Sequence, residues 1–187
     1  MFHLLSTDLN RYFRNSSIID KLKVILLTQG IWAITVYRIG SWAYKAKKNK
    51  KIYARILMPL CTVLSKVSEI LTGIQIPFSA QIGPGFYIGH FGNIIIGTDT
   101  VIGENCNISQ GVTIGQGGRG GIQKTPIIGS RVYIGPGAKL FGDIRIGDDV
   151  AIGANSVVTK DLPANAVAVG VPAQIINYNS SSDFVIF

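Results

Sequence analysis

The sequence IGPGAKLFGDIRIGDDVAIGANSVV, residues 134–158, places an aliphatic residue at every sixth position. The same spacing extends in both directions along the chain, with two additional residues after residue 88 and a longer insertion after residue 114. The thirteen aliphatic residues that begin the units are Ile76, Ile82, Ile88, Ile96, Ile102, Ile108, Ile114, Ile128, Ile134, Leu140, Ile146, Ile152 and Val158. Most units have glycine second and a small or β-branched residue fifth. Such self-similarity indicates a repetitive architecture.

The period of six residues decides between strand and helix. Successive side chains of a β-strand point to opposite faces, so residues an even number apart share one face. An α-helix turns by about 100° per residue, so six residues do not return to the same face. The repeat therefore predicts short strands joined at glycine-containing corners and stacked as a coil, with the aliphatic residues laddered inside.

The chain divides by composition into three segments. The predicted segments are an α-helical N-terminal region at residues 1–75, a β-helix at residues 76–176 with an inserted loop at residues 116–126, and a C-terminal tail at residues 177–187. The first segment contains two apolar stretches, residues 24–37 and 52–76, which we predict to be helices, with Pro59 bending or delaying the second. Neither stretch has the ~20 uninterrupted apolar residues that a membrane span requires.

Positive charge is concentrated before the repeat. Residues 1–75 carry twelve Lys or Arg and three acidic residues, a net charge of +9, whereas the remaining residues carry a net charge of −1. A basic segment with Trp and Tyr favours peripheral contact with anionic lipid. Helices packed against the rest of the protein, with a solvated basic face, explain the same composition. We expect no nucleic-acid partner, because no recognised binding motif accompanies the charge.

The N-terminus and the cysteines indicate the compartment. The first residues lack the basic and apolar pattern of a secretory signal, so we expect a cytoplasmic protein that reaches the inner face of the membrane at most peripherally. Cys61 and Cys106 lie far apart in unrelated contexts, and we expect both to be buried rather than metal ligands or a disulfide.

Six motifs carry a family resemblance over residues 75–176. In chain order they are IGHFGNIIIG, IGENCNISQGVTIG, GQGGRGG, IGPGAKLFGDIRIG, IGANSVVTKDLP and AVGVPAQII. The sequence resembles the hexapeptide-repeat acyltransferases, and within them the serine acetyltransferase-like O-acetyltransferases, including those of polysaccharide biosynthesis. The resemblance implies a mainly β protein with a left-handed parallel β-helix, an exception to the right-handed crossover rule. It further implies acetyl-CoA as acyl donor and a homotrimer with active sites in clefts between neighbouring coils. Whether trimers pair through the N-terminal helices stays open at this point.

His90 is the candidate catalytic base. By its motif it matches the family histidine that deprotonates the acceptor hydroxyl, and imidazole has a pKa near the working pH. The other histidine, His3, lies outside the repeat. Carbonic anhydrases of similar architecture need three histidine ligands for zinc, so two histidines in total exclude that function and no metal is expected.

The inserted loop and the corners supply candidate binding residues. The insertion must protrude from the coil wall, and the resemblance implies that it encloses the acceptor and the thioester; a loop without contacts is the alternative. Arg119 and Lys124 lie on this loop and are the predicted cations for an anionic acceptor or for the cofactor phosphates. The predicted cofactor-binding residues are Gly117, Pro136, Ala154 and Lys160.

Two departures from the family bear on the acceptor. Gly89 replaces an aspartate before the catalytic histidine, and Lys124-Thr125 replaces an arginine-histidine pair. Lysine keeps the charge but loses the planar fork that binds a carboxylate in two hydrogen bonds. We therefore expect the acceptor hydroxyl to belong to a sugar of a surface polysaccharide or its precursor. The alternatives are serine O-acetylation in cysteine biosynthesis and a non-catalytic β-helix scaffold.

Overall fold

The computed structural model describes residues 2–13, 17–117 and 123–185. Within these ranges, four helices precede the strands: α1 (Phe2–Asn10), α2 (Ile18–Leu27), α3 (Gln29–Lys48) and α4 (Tyr53–Thr72). Fifteen strands follow within the same ranges: β1 (Ile74–Gln75), β2 (Gln81–Ile82), β3 (Tyr87–Ile88), β4 (Ile94–Ile96), β5 (Val101–Ile102), β6 (Asn107–Ile108), β7 (Thr113–Gly115), β8 (Ile127–Ile128), β9 (Tyr133–Ile134), β10 (Lys139–Phe141), β11 (Arg145–Ile146), β12 (Ala151–Ile152), β13 (Val157–Val158), β14 (Val167–Gly170) and β15 (Ala173–Asn177).

The strands form three sheets in a parallel β-helix. Sheet A has the order β1-β4-β7-β10-β13, sheet B has β2-β5-β8-β11, and sheet C has β3-β6-β9-β12-β14-β15. Each turn of the chain contributes one strand to each sheet, so the coil has three faces and three corners. The pairs between coils are parallel, and only β15 runs antiparallel to its neighbour β14.

Two corners matter for function. The C–A corner joins sheet C to the following strand of sheet A and comprises residues 89–93, 109–112, 135–138 and 153–156. The A–B corner joins sheet A to sheet B and comprises the described residues 97–100, 116–117, 123–126, 142–144 and 159–161.

The repeat residues form the core. All thirteen residues that begin the units are at most 6% exposed, and Phe86 fills the first coil. Full burial of such an aliphatic side chain contributes about 1.5–3 kcal/mol. The ladder of aliphatic side chains therefore holds the coil together, as the period of six predicted.

The apolar stretch at residues 24–37 is helical as predicted except at Thr28, which separates α2 from α3. Thr28 has an extended backbone (φ −103°, ψ 101°), and α2 and α3 meet at an angle of 80°. The indole N–H of Trp32 donates a hydrogen bond to the carbonyl oxygen of Ile25 across this bend. The bend lets α3 bury Ile31 and Ile34, whereas α2 buries none of its residues. Tertiary packing of α3 therefore overrides the uniform apolar composition.

The second apolar stretch is a helix only as far as Thr72. Pro59 lies inside α4, and Gly73 in a left-handed conformation (φ +64°) ends it, so that Ile74 and Ile76 join the first coil. In the part of the chain that the structure describes, no single helix combines the length and apolar character needed to cross a bilayer. Only the bent pair α2 and α3 meets those criteria jointly.

Side chains from residues 2–12 and from α3 cover the open edge of the first coil, and we call these two segments the helical cap. Asp8 and Arg38 form a buried ion pair, with 2.7 Å between Nε and Oδ2. Arg38 also donates to the carbonyl oxygens of Ile82 and Gly83, each at 2.6 Å, and Asp8 accepts from the backbone N–H of Phe86 at 2.9 Å. Burial raises the pKa of Asp8, and the ion pair with Arg38 opposes that rise. Asp8 and Arg38 thus make the hydrogen bonds to the first coil that a preceding coil would otherwise make.

Candidate active site

His90 lies on the C–A corner of the first coil, directly after β3. Two additional residues widen this corner, and Gly92 (φ +105°) and Asn93 (φ +52°) turn the chain back into β4. His90 and Phe91 are both exposed. Among the described residues the imidazole makes no hydrogen bond or ion pair, so both ring nitrogens are open to a ligand.

The same corner continues through the next coils as a strip of small residues. Backbone hydrogen bonds stack it: the N–H of Gly111 donates to the carbonyl of Gly92 at 2.9 Å, and the N–H of Asn155 donates to that of Pro136 at 2.8 Å. Pro136 and Ala154, both predicted to bind the cofactor, lie on this strip. Small side chains let an extended ligand approach the backbone closely. The structure therefore aligns these two residues with His90 on one corner.

Gln110 lies on this strip one coil below His90, and the sequence analysis missed it. Its side-chain oxygen Oε1 is buried and has no hydrogen-bond partner among the described residues. A buried acceptor left without a donor costs about 1–3 kcal/mol, so a donor on a ligand or a water is favoured there. The sequence signal was a long polar residue at a corner position that holds Pro136 and Ala154 in the following coils.

The described ends of the inserted loop lie on the A–B corner, at the opposite end of the strands of sheet A from His90. The N–H of Gly117 donates to the carbonyl of Lys124 at 3.2 Å, and Lys124 forms an ion pair with Asp143, with 2.6 Å between Nζ and Oδ2. Both partners are more than half exposed, so this pair adds little stability. Arg119 lies outside the described residues.

A cleft of about 390 Å³ opens beside the loop on this corner. Its lining includes Thr98, Gln116, Lys124, Asp143 and Arg145. Further along, Lys160 borders a cleft of about 150 Å³ with residues of β15. Of the predicted site residues, Gly117, Lys124 and Lys160 therefore share the A–B corner, whereas His90, Pro136 and Ala154 share the C–A corner. One chain does not bring the two groups together.

Tyr87 borders the space beside Gly89. A Cβ atom on Gly89 would lie 3.3 Å from Cε1 of Tyr87 and 3.8 Å from its hydroxyl oxygen. The Tyr87 ring packs on Tyr12, with 4.6 Å between ring centroids, and the Arg11 guanidinium lies 5.5 Å from the Tyr87 centroid. An aromatic hydroxyl group therefore stands close to where the family has a carboxylate.

The cysteines provide no nucleophile at this site. Cys106 is fully buried in the coil, and its Sγ donates to the carbonyl of Gly129 at 3.2 Å. Burial raises the pKa of its thiol to about 12. Across residues 2–13, 17–117 and 123–185, no group of three His, Cys, Asp or Glu side chains is arranged to hold a metal ion.

Known proteins that resemble this chain carry the same fold motifs. The profile of the family described as bacterial transferase hexapeptide (six repeats) matches residues 125–160. The serine acetyltransferase of Helicobacter pylori strain J99 is 40% identical over 157 residues, which cover 84% of this chain and 86% of that relative. The chain belongs to the serine acetyltransferase family. The predicted family resemblance is therefore confirmed.

Solved serine acetyltransferases match nearly the whole chain. The enzyme from Brucella abortus strain S19, in complex with coenzyme A, has a TM-score of 0.82 at 30% identity, covering 97% of this chain and 69% of that chain. The enzyme from Neisseria gonorrhoeae, in complex with serine, has a TM-score of 0.75 at 32% identity, covering 91% and 67%. The coil is accordingly a left-handed β-helix, and the protein is an acetyl-CoA-dependent O-acetyltransferase. Both conclusions confirm what the sequence predicted.

The prediction of a polysaccharide sugar as acceptor is wrong. Serine acetyltransferases at 34–40% identity match most of the chain and support the alternative that the sequence analysis ranked second. The two replacements do not remove every polar group from these positions. Lys124 keeps the positive charge of the arginine, and Tyr87 brings a hydroxyl group beside Gly89.

Proposed function

We propose that this protein transfers the acetyl group of acetyl-CoA to the hydroxyl of L-serine, releasing CoA and O-acetyl-L-serine. The observation that carries the proposal is His90, an exposed imidazole at the head of the small-residue strip, in a chain 40% identical to a serine acetyltransferase. The solved relatives that bind coenzyme A and serine share its fold.

The mechanism is a direct transfer through a ternary complex. His90 takes the proton of the serine hydroxyl, and the oxygen attacks the thioester carbonyl carbon. Backbone N–H donors of the corner stabilise the oxyanion. The C–S bond then breaks, and the imidazolium returns its proton to the CoA thiolate. No acyl-enzyme forms on Cys106, because its buried thiol is not a nucleophile.

The donor lies along the C–A strip. Pro136 and Ala154 let the pantetheine arm approach the backbone, and the orphaned Oε1 of Gln110 accepts a hydrogen bond from a ligand N–H or O–H. On the A–B corner, Gly117 and Lys160 border the opposite side of the cofactor cleft. There the ammonium group of Lys160 binds the cofactor phosphates.

The acceptor carboxylate is held by the inserted loop. Lys124 exchanges its exposed partner Asp143 for the serine carboxylate, with Arg119 on the same loop as a second cation. Gly89 leaves room for the serine amino group beside the Tyr87 hydroxyl. Because lysine binds a carboxylate as a point charge, carboxylate selectivity here is weaker than an arginine would give.

The active unit is a homotrimer. The two groups of site residues lie at opposite ends of the strands of sheet A. Three chains with sheet A facing a threefold axis therefore bring each C–A corner to a neighbour's A–B corner. The outer face of sheet C is already covered by the chain's own C-terminal tail, where Phe184 stacks on Tyr133 with 4.6 Å between centroids. Next to β1 of sheet A, α4 exposes an apolar face that assembly would bury: Ile56, Leu60, Val63, Leu64, Val67, Ile70 and Leu71.

Light scattering tests the assembly. We expect a particle of three times the chain mass of 20.1 kDa, and six times that mass if trimers pair through the N-terminal helices. Ile56→Asp together with Ile70→Asp places charge on the α4 face and should reduce the mass and the activity together. A fully active monomer would contradict the shared site.

The tip between α3 and α4 makes peripheral contact with anionic lipid on the cytoplasmic leaflet. No acidic residue occurs between Asp20 and Glu69, and the tip carries exposed basic residues: Lys45, Lys47, Lys48, Lys50, Lys51 and Arg55. Trp42 and Tyr53 stack at the same tip, with 5.7 Å between centroids, and Ile52 is 71% exposed. Lysines near an anionic surface contribute about 1 kcal/mol each. Phosphatidylglycerol vesicles should sediment the protein and phosphatidylcholine vesicles should not; equal sedimentation would contradict the contact.

Purified protein with acetyl-CoA and L-serine tests the reaction. We expect thiol release and O-acetyl-L-serine by mass spectrometry, and a loss of about 10²–10⁴ in kcat for His90→Ala. Circular dichroism and particle mass should match the wild type, because His90 is exposed and makes no internal hydrogen bond. Full activity of His90→Ala would remove the base from the mechanism, and thiol release without O-acetylserine would overturn the acceptor. No thioester consumption at all would favour a scaffold.

A further inference from the structure

The strand that leads to His90 is the open edge of sheet C. β3 pairs only with β6, and the N–H of Tyr87 donates to the carbonyl of Cys106 in that next coil. The N–H and carbonyl of Ile88 point away from β6, to the side on which the described residues form no further coil. The hydroxyl of Tyr12 fills this position: it accepts from the N–H of Ile88 at 2.9 Å and donates to the carbonyl of Ile88 at 3.1 Å. One side chain therefore replaces both hydrogen bonds of a missing strand.

Ile88 is also held from α3. A Cβ atom on Gly30 would lie 2.6 Å from the carbonyl oxygen of Ile88 and 3.1 Å from its Cβ, so α3 reaches the backbone of β3 with no room to spare. Arg11 donates to the carbonyl of Gly85 at 2.8 Å and thereby fixes the other end of the strand. The segment before His90 is thus held by Arg11 and Tyr12, which follow α1, and by Gly30 of α3.

Among the described residues no hydrogen bond holds the His90 imidazole, and the corner after it is tied at Gly92, whose carbonyl accepts from the N–H of Gly111 at 2.9 Å. Gly89 precedes it and Gly92 follows within two residues, and glycine imposes little restriction on the backbone. A Cβ on Gly92 would meet no atom within 4 Å, and the imidazole is exposed. The nearest fixed backbone before the base is therefore Ile88, two residues away.

We propose that Tyr12 is a positioning residue for the reaction: by clamping Ile88 it sets the place of the His90 imidazole against the acceptor hydroxyl. The inference rests on the proposed role of His90 as base. Because misplacement of a reacting group by about 1 Å can cost about 10²-fold in rate, a looser β3 lowers the rate of the chemical step more than it weakens binding of either substrate.

Tyr37 provides a matched control in the same cap. Its hydroxyl donates to the carbonyl of Ala80 at 2.8 Å and accepts from the N–H of Ile82 at 3.3 Å, so it clamps β2 as Tyr12 clamps β3. Both hydroxyls lie against backbone groups of the open edge. Only β3, however, leads directly into the corner that carries His90.

The experiment compares Tyr12→Phe with Tyr37→Phe. Each keeps the aromatic ring and removes one pair of hydrogen bonds, so we expect similar losses in Tm. We expect kcat to fall about 10- to 100-fold in Tyr12→Phe with KM for serine and acetyl-CoA within about twofold of wild type, and kcat of Tyr37→Phe to stay near wild type. Gly30→Ala, which pushes on Ile88 from α3, should reproduce the loss of kcat.

A second readout does not depend on activity. The chain has two histidines, so ¹⁵N-histidine spectra contain the ring signals of two imidazoles. The His90→Asn variant shows which signals belong to His90. Tyr12→Phe should broaden or shift the His90 signal, and Tyr37→Phe should leave it unchanged. Wild-type kcat in Tyr12→Phe with an unaltered His90 signal, or equal kcat losses in the two tyrosine variants, would overturn the positioning role. An active His90→Ala variant would instead reject His90 as the base, whatever the spectra show.

Discussion

The coils and the helical cap satisfy their backbones in different ways. Within the coils each strand pairs with the strand one turn away, and equivalent residues such as Ile108 and Ile134 meet the same surroundings repeatedly. In the cap, the side chains of Asp8, Tyr12 and Arg38 complete the first coil, and each binds a different set of backbone groups. The contrast teaches that a repeat shares its stability among many equivalent positions, whereas its open end depends on a few specific ones.

The largest expected effect is at the cap. Asp8→Ala leaves the Arg38 guanidinium buried without its carboxylate and frees the N–H of Phe86. Breaking a buried pair in this way costs about 3–5 kcal/mol. Urea unfolding measures the loss. The control is Lys66→Ala, which removes an exposed pair with Glu69 and should cost less than about 1 kcal/mol; equal costs would abolish the contrast.

A smaller effect tests whether the coil positions are equivalent. Ile108→Val and Ile134→Val each remove one buried methyl group from neighbouring coils of sheet C, and each should cost about 0.5–1.5 kcal/mol. Because the surroundings repeat, we expect the two free energies of unfolding to agree within about 0.5 kcal/mol. A large difference between them would show that the coils are not interchangeable.

A weaker contribution comes from the ion pair of Arg131 and Asp149 on the coil surface. The hydrogen bond from Arg131 lowers the pKa of Asp149 below its ordinary value of 3.8. A lowered pKa stabilises the folded state above that ordinary value, and the contribution disappears as the pH falls through the folded-state pKa. Asp149→Asn should therefore cost about 0–1 kcal/mol at pH 7 and less near pH 3. A cost that grows on acidification would reverse this sign.

No effect is expected at Cys106 while the coil is folded. With its pKa raised to about 12, the thiol stays protonated from pH 7 to pH 10, and its burial excludes reagents. Iodoacetamide labelling followed by mass spectrometry should leave Cys106 unmodified until the protein is unfolded. Labelling at pH 8 under native conditions would mean that the coil opens locally.

The coils were predictable because their signal is local and repeated. Each aliphatic residue at the start of a unit is predicted to point inward from its own position in the repeat. The insertion at residues 116–126 is visible as an interruption of the six-residue spacing. His90 was a candidate because its motif, beside the other break in the repeat, matches the catalytic histidine of the family that the sequence resembles. The sugar acceptor was predicted wrongly because two replaced positions were given more weight than the similarity of most of the chain to serine acetyltransferases.

The sequence by itself determined the β-helix, the place of its two interruptions and the residue types at its corners. Only the tertiary structure decided that α2 and α3 part at Thr28, that Gln110 buries an unpaired oxygen, and that Tyr12 holds Ile88. The physical reason is separation along the chain. Tyr12 and Ile88 are 76 residues apart, and a single contact over that distance leaves no periodic pattern, whereas the core ladder repeats its cause every six residues.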